Sequence, residues 1–140
     1  MADQGARPTV ATVFAILHFV FGAIAALIAI VGIFTAFSLF KLFGSGAIAP
    51  LIYFILGLTS TVVMILAGVS LIANKSNAIQ MNLYYVFASV GVTVINTIMS
   101  IASTTVNFSV VAILIGLAYP ALVFFLIVKN EEVKSFYASA

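Results

Sequence analysis

Charge and cysteine are what this chain of 140 residues has least of. With no cysteine, disulfides, thiolate metal sites and cysteine nucleophiles are excluded, and redox compartment leaves no trace. Charged residues make up 6% of the chain, against roughly 25% in a soluble domain. Five Lys and Arg stand against three Asp and Glu, with a single His, for a net charge of +2. So thin a basic excess is no footprint for nucleic acid. Nor do these residues supply the paired groups that acid–base or nucleophilic catalysis needs, so no enzyme is expected.

What is present is hydrocarbon. The chain is 65% hydrophobic, and four apolar stretches take up nearly all of it, roughly residues 8–40, 47–73, 78–103 and 108–128. The charges Asp3, Arg7, Lys41, Lys75, Lys129, Glu131, Glu132 and Lys134 all fall before, between or after the stretches. A hydrocarbon core ~30 Å thick is spanned by about 20 apolar helical residues. The expected fold is therefore all-α: one polytopic domain over residues 1–140, four transmembrane helices in an antiparallel bundle, and a short amphipathic tail at 129–140. The N-terminal stretch stays apolar well beyond its small residues, so it reads as an uncleaved first helix rather than a signal peptide.

Basic residues orient the bundle. Arg7, Lys75, Lys129 and Lys134 share one side, with Lys41 alone on the other, which places both termini in the cytoplasm. The first stretch, 33 residues, would make ~50 Å of helix and must tilt, protrude or bend. Phe34, Phe37, Phe40 and Phe43, beside Lys41, suit either a helix end or a short interfacial helix. Gly44-Ser45-Gly46 reads as a turn, and Pro50 falls in the first turn of the next helix, where its missing N–H is harmless. Asn77 and Gln80 have capping-box spacing, and Pro120 predicts a kink in the fourth helix. The triplets Asn74-Lys75-Ser76 and Asn107-Phe108-Ser109 match a glycosylation acceptor but hug helix ends on opposite sides, as chance matches would.

Two helical stripes organise the packing. Ala11, Ala15, His18, Gly22, Ala25, Ala29, Gly32 and Ala36 share one narrow face of the first helix. Small residues in a row let membrane helices approach closely, either as the bundle's own seam or as an interface for a partner built on Gly22, Ala25, Ala29 and Gly32. Phe54, Gly57, Thr61, Met64 and Gly68 repeat the theme in the second helix, and Ala112, Gly116 and Tyr119 in the fourth. In the third helix Asn82, Tyr85, Ser89, Thr93, Asn96, Ser100 and Ser103 fall on one side, opposite Leu83, Phe87, Gly91, Val94, Ile98 and Ile101. Unpaired amides and hydroxyls are costly in hydrocarbon, so this polar stripe must bond to other helices or line a solute pathway.

His18 is the sole residue of its kind and the one titratable side chain in a span apart from tyrosines. An intramembrane ionisable group is a functional candidate by default. Depth along the helices brings Tyr119, Tyr85 and Ser89 to its level, so a polar cluster of His18, Tyr85, Ser89 and Tyr119 is expected. Without a second His, Cys, Asp or Glu in any span, no metal site or proton chain can be built within one chain, and no cofactor is expected. The absence of any membrane-embedded carboxylate also excludes the proton-exchange mechanism of small multidrug transporters.

The segments RPTVATVFAILHFVFG, ILAGVSLIANKSNAIQMNLYYVFA and GLAYPALVFFLIVKNEEVKSFY together resemble a loose, uncharacterised family of small bacterial inner-membrane proteins. Its members carry an Arg-Pro-Thr start, four spans, a Tyr-Pro in the last span and an ending of the Glu-Val-Lys-x-Phe type. The resemblance implies a multi-pass protein of the bacterial cytoplasmic membrane with this topology, and it implies no catalytic or binding residues. The loop at Asn74-Lys75-Ser76-Asn77 departs from the pattern in lacking an aromatic and a second basic residue.

From the stripes, the expected function is helix packing and association, as an accessory or scaffold subunit or a self-assembling unit, with lipid bilayer and a membrane protein or further copies as partners. The competing expectation is a channel or carrier for a small neutral or apolar solute, lined by the third-span stripe. A third is a cofactor-bearing subunit with His18 as axial ligand.

Overall fold

The computed structural model describes residues 6–102 and 110–140, Ala112 by its backbone alone. Ser103, the third loop and the Asn107 triplet lie outside the described residues. Within them the chain is helical, with no strand. Helix α1 spans Thr9–Phe43, a 3₁₀ turn covers Gly44–Ala47, and α2 spans Ile48–Ile72. Helix α3 is Ala78–Ala102, α4 is Val110–Val123 continuing as a π turn over Phe124–Val128, and α5 is Glu131–Ala138. Two helical stretches, Thr9–Ile72 and Ala78–Ala102, are long and apolar enough to cross a membrane; Ile113–Val128 with Glu131–Ala138 joins them only as a bent pair.

Local chemistry sets the boundaries. Pro8 precedes α1 and offers its carbonyl to the Ala11 and Thr12 amides at 3.0 and 3.3 Å. Helix α1 then runs unbroken for 35 residues, so the Phe34–Phe43 segment is its end and not a separate interfacial helix. It stops at Gly44, whose φ of +58° suits glycine, and whose N–H reaches back to the Phe40 carbonyl. Pro50 sits in the first turn of α2, as its spacing predicts. At the other end Asn74 takes a left-handed φ of +49°. That lets Lys75 N–H bond the Ser70 carbonyl (3.0 Å) and Asn74 N–H the Leu71 carbonyl (3.4 Å), the two bonds of a Schellman cap.

The expected capping box does not close among the described residues: the Gln80 carbonyl oxygen does not accept from the Asn77 N–H, and its amide nitrogen donates forward to the Tyr84 hydroxyl. Helix α4 carries through Pro120 without a break. Proline leaves one rung of its hydrogen-bond ladder unmade, a π turn follows four residues later, and a sharp 61° bend comes between Val128 and Glu131. Asn130 caps α5 by accepting from the Glu132 and Val133 amides at 3.0 and 3.2 Å. The tail folds back on the bundle end, burying Val133 and Tyr137.

Helices α1 and α2 form an antiparallel hairpin in which His18 faces Gly68, Gly22 faces Ile65 and Gly32 faces Phe54. The small-residue stripe is the seam: Ala11, Ala15, His18, Gly22, Ala29, Gly32 and Ala36 are buried, with Ala25 half-buried. The opposite side of α1 is bare hydrocarbon, with Leu27 65% and Phe34 70% exposed. Helix α3 then packs on α2, and α4 on α3. The main core gathers at the end holding the chain termini, from Ala11, Phe14 and Ala15, Met64 to Leu71, Ala78 to Val86, and Val123, Ile127, Val133 and Tyr137.

A Cβ built on Gly68 would come 2.9 Å from the His18 Cβ and 3.4 Å from the Ala15 carbonyl, whereas one on Gly91 meets nothing within 4 Å. Gly68→Ala should therefore lower thermal stability in detergent by about 1–3 kcal/mol through overpacking. Gly91→Ala should leave it unchanged or raise it by at most about 1 kcal/mol through helix propensity. Equal responses in the two melting curves would contradict this account of the seam.

Candidate functional site

Three polar gatherings interrupt the hydrocarbon. The first surrounds His18, which is fully enclosed. Its Nδ1 lies 2.7 Å from the Phe14 carbonyl, one turn back on α1, and 2.8 Å from the Tyr119 hydroxyl on α4. The Tyr85 ring meets the imidazole edge-on at 5.2 Å and the Tyr119 ring tilts against it at 5.6 Å. Phe21 and Phe14 close the aromatic shell around Tyr119 at 5.1 and 6.0 Å. Ser89 is the polar neighbour of the Tyr85 hydroxyl, so the four residues expected at this level do gather there.

Asn82, also fully buried, stands beside His18 and donates its amide to the Ala78 carbonyl at 2.9 Å. His18 Nε2 and Asn82 Oδ1 are both buried without a hydrogen-bond partner among the described residues. With its proton on Nδ1, the ring donates to the Phe14 carbonyl. With its proton on Nε2, it accepts from Tyr119, and the two orphan atoms become a donor and an acceptor. No cluster of three or more His, Cys, Asp or Glu exists among the described residues, and no open space adjoins the imidazole. The arrangement joins α1 to α4.

The second gathering ties the chain termini to the end of α2. Arg7 donates from Nε to the Asn74 side chain (2.8 Å) and from Nη2 to the Ile72 carbonyl (2.6 Å). Tyr137, fully buried, donates its hydroxyl to the Leu71 carbonyl at 2.8 Å. A guanidinium on the exposed carbonyls of a helix C-terminus also meets the negative end of the helix dipole. Burial pushes the Tyr137 phenol above its ordinary range, opposed in part by the Arg7 charge. Sequence reasoning missed this clasp. Its one signal was that Arg7, Asn74 and Tyr137 belong to the three segments carrying the family resemblance.

The third gathering is a cleft of about 610 Å³ in the half of the bundle away from the termini, touching all four long helices. Its floor is polar, from Ser89, Thr93, Asn96, Thr97 and Ser100 on α3 and Ser60 and Thr61 on α2. Ala25, Ile28 and Ala29 on α1 and Ile113 and Gly116 on α4 supply small and apolar walls, with Pro50, Tyr53, Phe54 and Gly57 at the α2 side. Among the described residues, no charged side chain lines it. Much of the third-helix stripe thus faces this space, while Phe87, Val94, Ile98 and Ile101 point outward. Ser60 and Thr97 were not singled out from the sequence, each lying just off the stripe on its helical wheel.

The stripe is expected to bond to other helices or to line a pathway; its end at Asn82 meets His18 across the helices, whereas the hydroxyls nearer the cleft stay within their own helices. Thr93 donates to the Ser89 carbonyl (2.9 Å), Thr97 to Thr93 (2.8 Å) and Thr61 to Gly57 (2.9 Å), all within their own helices. A hydroxyl reaches the carbonyl one turn back without leaving its helix, so it needs no partner across the cleft. Asn96 Oδ1, by contrast, is buried with no partner among the described residues.

Compared with known protein families, with curated proteins and with solved structures, the chain matches none.

The His18–Tyr119 bond is the principal polar link between α1 and α4, which fixes how it should behave on mutation. His18→Phe and Tyr119→Phe should each destabilise, and the double-mutant cycle should return a coupling of about 1 kcal/mol, within the range for residues in direct contact. Additive losses in the melting experiments would show that the bond contributes nothing.

Proposed function

We propose that this chain is a four-span protein of the bacterial inner membrane, both termini cytoplasmic, that binds a small uncharged solute in the four-helix cleft without transforming it. The observation that carries the reading is the cleft: about 610 Å³, floored by hydroxyls and amides and bare of charge. That volume lies within the ~300–1,000 Å³ range of small-molecule sites, which are mostly apolar with a few placed polar groups. A charged solute would find no counter-ion there, and burying an unpaired charge is far costlier than burying a hydroxyl.

An association role has less support. The small-residue stripe, read as either the bundle's own seam or a partner's interface, is engaged by α2 of the same chain, in contacts too close for a Cβ at Gly22 or Gly32. The outward faces of α1 and α3 remain for lipid or for a subunit. The bacterial setting rests on the family resemblance, and the orientation on the distribution of Arg7, Lys75, Lys129 and Lys134 against Lys41.

Reporter fusions test the orientation. A cytoplasmic reporter at Ala140 and a periplasmic one within 44–46 should both be active, and periplasmic activity at Ala140 would overturn it. The binding reading is tested by thermal shift in detergent. Butanamide and 1-butanol should raise the melting temperature, while butanoate and butylammonium should not. A Cβ at Gly57 meets no atom within 4 Å, so Gly57→Phe can fill the cleft from its α2 side and should abolish the response. A response unchanged in Gly57→Phe, or absent in the wild type, would end the reading.

A further inference from the structure

The half of α4 that walls the cleft is held differently from the half that does not. Beyond Tyr119, Pro120, Val123, Ile127 and Val128 are all buried. Before it, no side chain described between residues 110 and 118 is buried, and Leu114 and Ile115 are 63% and 69% exposed. Helix α1 meets α4 through Phe14, His18 and Phe21 around Tyr119, and touches the π turn beyond. Away from that level the two helices form opposite walls of the cleft. Ile28 lines the cleft and is 61% exposed, so the α1 edge of the cleft carries uncovered aliphatic surface.

The floor opposite this edge has unspent hydrogen-bonding capacity. Asn96 lines this floor, and its Oδ1, closed off from the cleft as the side chain stands, has no partner among the described residues, so an amide turned toward the cleft would accept from a donor there. Ser60 and Ser100, also on the floor, bring hydroxyls that can serve as donors or acceptors. The α1 and α4 walls, by contrast, give only aliphatic surface. A molecule matching both would carry one uncharged donor-bearing end and an apolar body.

Resting on the proposed binding function, we infer that the occupant is a neutral amphiphile, a long-chain alcohol or primary amide in chemical class, entering sideways from the bilayer between α1 and α4. Its polar end lies on Asn96 and Ser100, and its chain passes between Ile28 and Ile113 into the lipid. A water-borne polar solute would have no reason to meet an aliphatic doorway first. An ionic amphiphile would keep its head at the membrane surface, since bringing an unpaired charge to this floor is costly.

The test uses the full chain in phosphatidylcholine vesicles containing a long-chain alcohol with a photoreactive diazirine, compared with matched probes ending in a carboxylate or a trimethylammonium. The alcohol should label the cleft residues of α3 and α4 well above the two charged probes. Asn96→Leu combined with Ser100→Ala should lower that labelling about tenfold, the factor carried by one hydrogen bond of ~1.4 kcal/mol. Labelling of the outward face around Ile98 should stay unchanged and report that the variant is folded. Ser100→Ala alone, which removes a single hydroxyl, should give a smaller loss in the same direction. Equal cleft labelling by all three probes, or alcohol labelling confined to the outward face, would overturn the inference. If butanamide and 1-butanol still give the response that Gly57→Phe abolishes while the alcohol probe leaves the cleft unlabelled, the solute-binding function stands and the amphiphile falls. If neither occupies the cleft, both fall.

Discussion

The close approach of α1 to α2 is the constraint on which the rest of this structure depends. In a bilayer, apolar side chains gain little by leaving lipid for another helix, so association relies on shape and on contact area. Gly22, Gly32 and Gly68 supply the shape. At each of them the space of a Cβ is already taken, by Ile65, by the Phe54 ring and by the His18 Cβ respectively. This hairpin sets the plane on which α3 is laid, and α3 in turn carries α4. Helix α1 closes back on α4 through a few side chains, chief among them His18 and Tyr119.

Because closure depends on that one level, the bundle has two unlike halves. Toward the termini it is dense, with Leu71, Ile127, Val133 and Tyr137 fully buried and the clasp of Arg7 and Tyr137 saturating the carbonyls at the end of α2. Away from them the helices enclose a cleft. The dense half holds the packed core and the open half holds the space. His18 belongs to the first half. Its role is to fasten α4 to α1 at the boundary, and it does not line the cleft.

Much of this was legible residue by residue. The second stretch, read as 47–73, is the helix Ile48–Ile72, since Gly44, Pro50 and Asn74 are punctuation whose backbone chemistry is local. The His18 cluster followed from counting rise along antiparallel helices, and depth is a one-dimensional quantity that a sequence carries. Other features were misread because local options compete. Gln80 could bond backward to a cap or forward to Tyr84, and the tertiary setting of Tyr84 is invisible in the spacing. Pro120 lies inside α4 as its position indicates, while the π turn over Phe124–Val128 had no signal in the spacing.

What the amino-acid sequence determined by itself was class and faces: helices rather than strands, hydrocarbon outside, and small and polar stripes inward. Those follow from side-chain transfer energies and helical period, which need no knowledge of a neighbour. Only the tertiary structure decided what each inward stripe meets. The small stripe of α1 could have served a partner protein, but α2 occupies it, because the short turn over Gly44–Ala47 leaves the neighbouring helix at once within reach. The polar stripe of α3 could have been zipped to other helices along its length, but Thr93 turns back to a carbonyl of its own helix and much of the stripe looks into open space. Whether two faces touch or leave a cleft depends on the distance between helix axes. That distance is set jointly by side chains far apart in the chain, such as Gly68 against His18 and His18 against Tyr119, so no single stretch of sequence contains it.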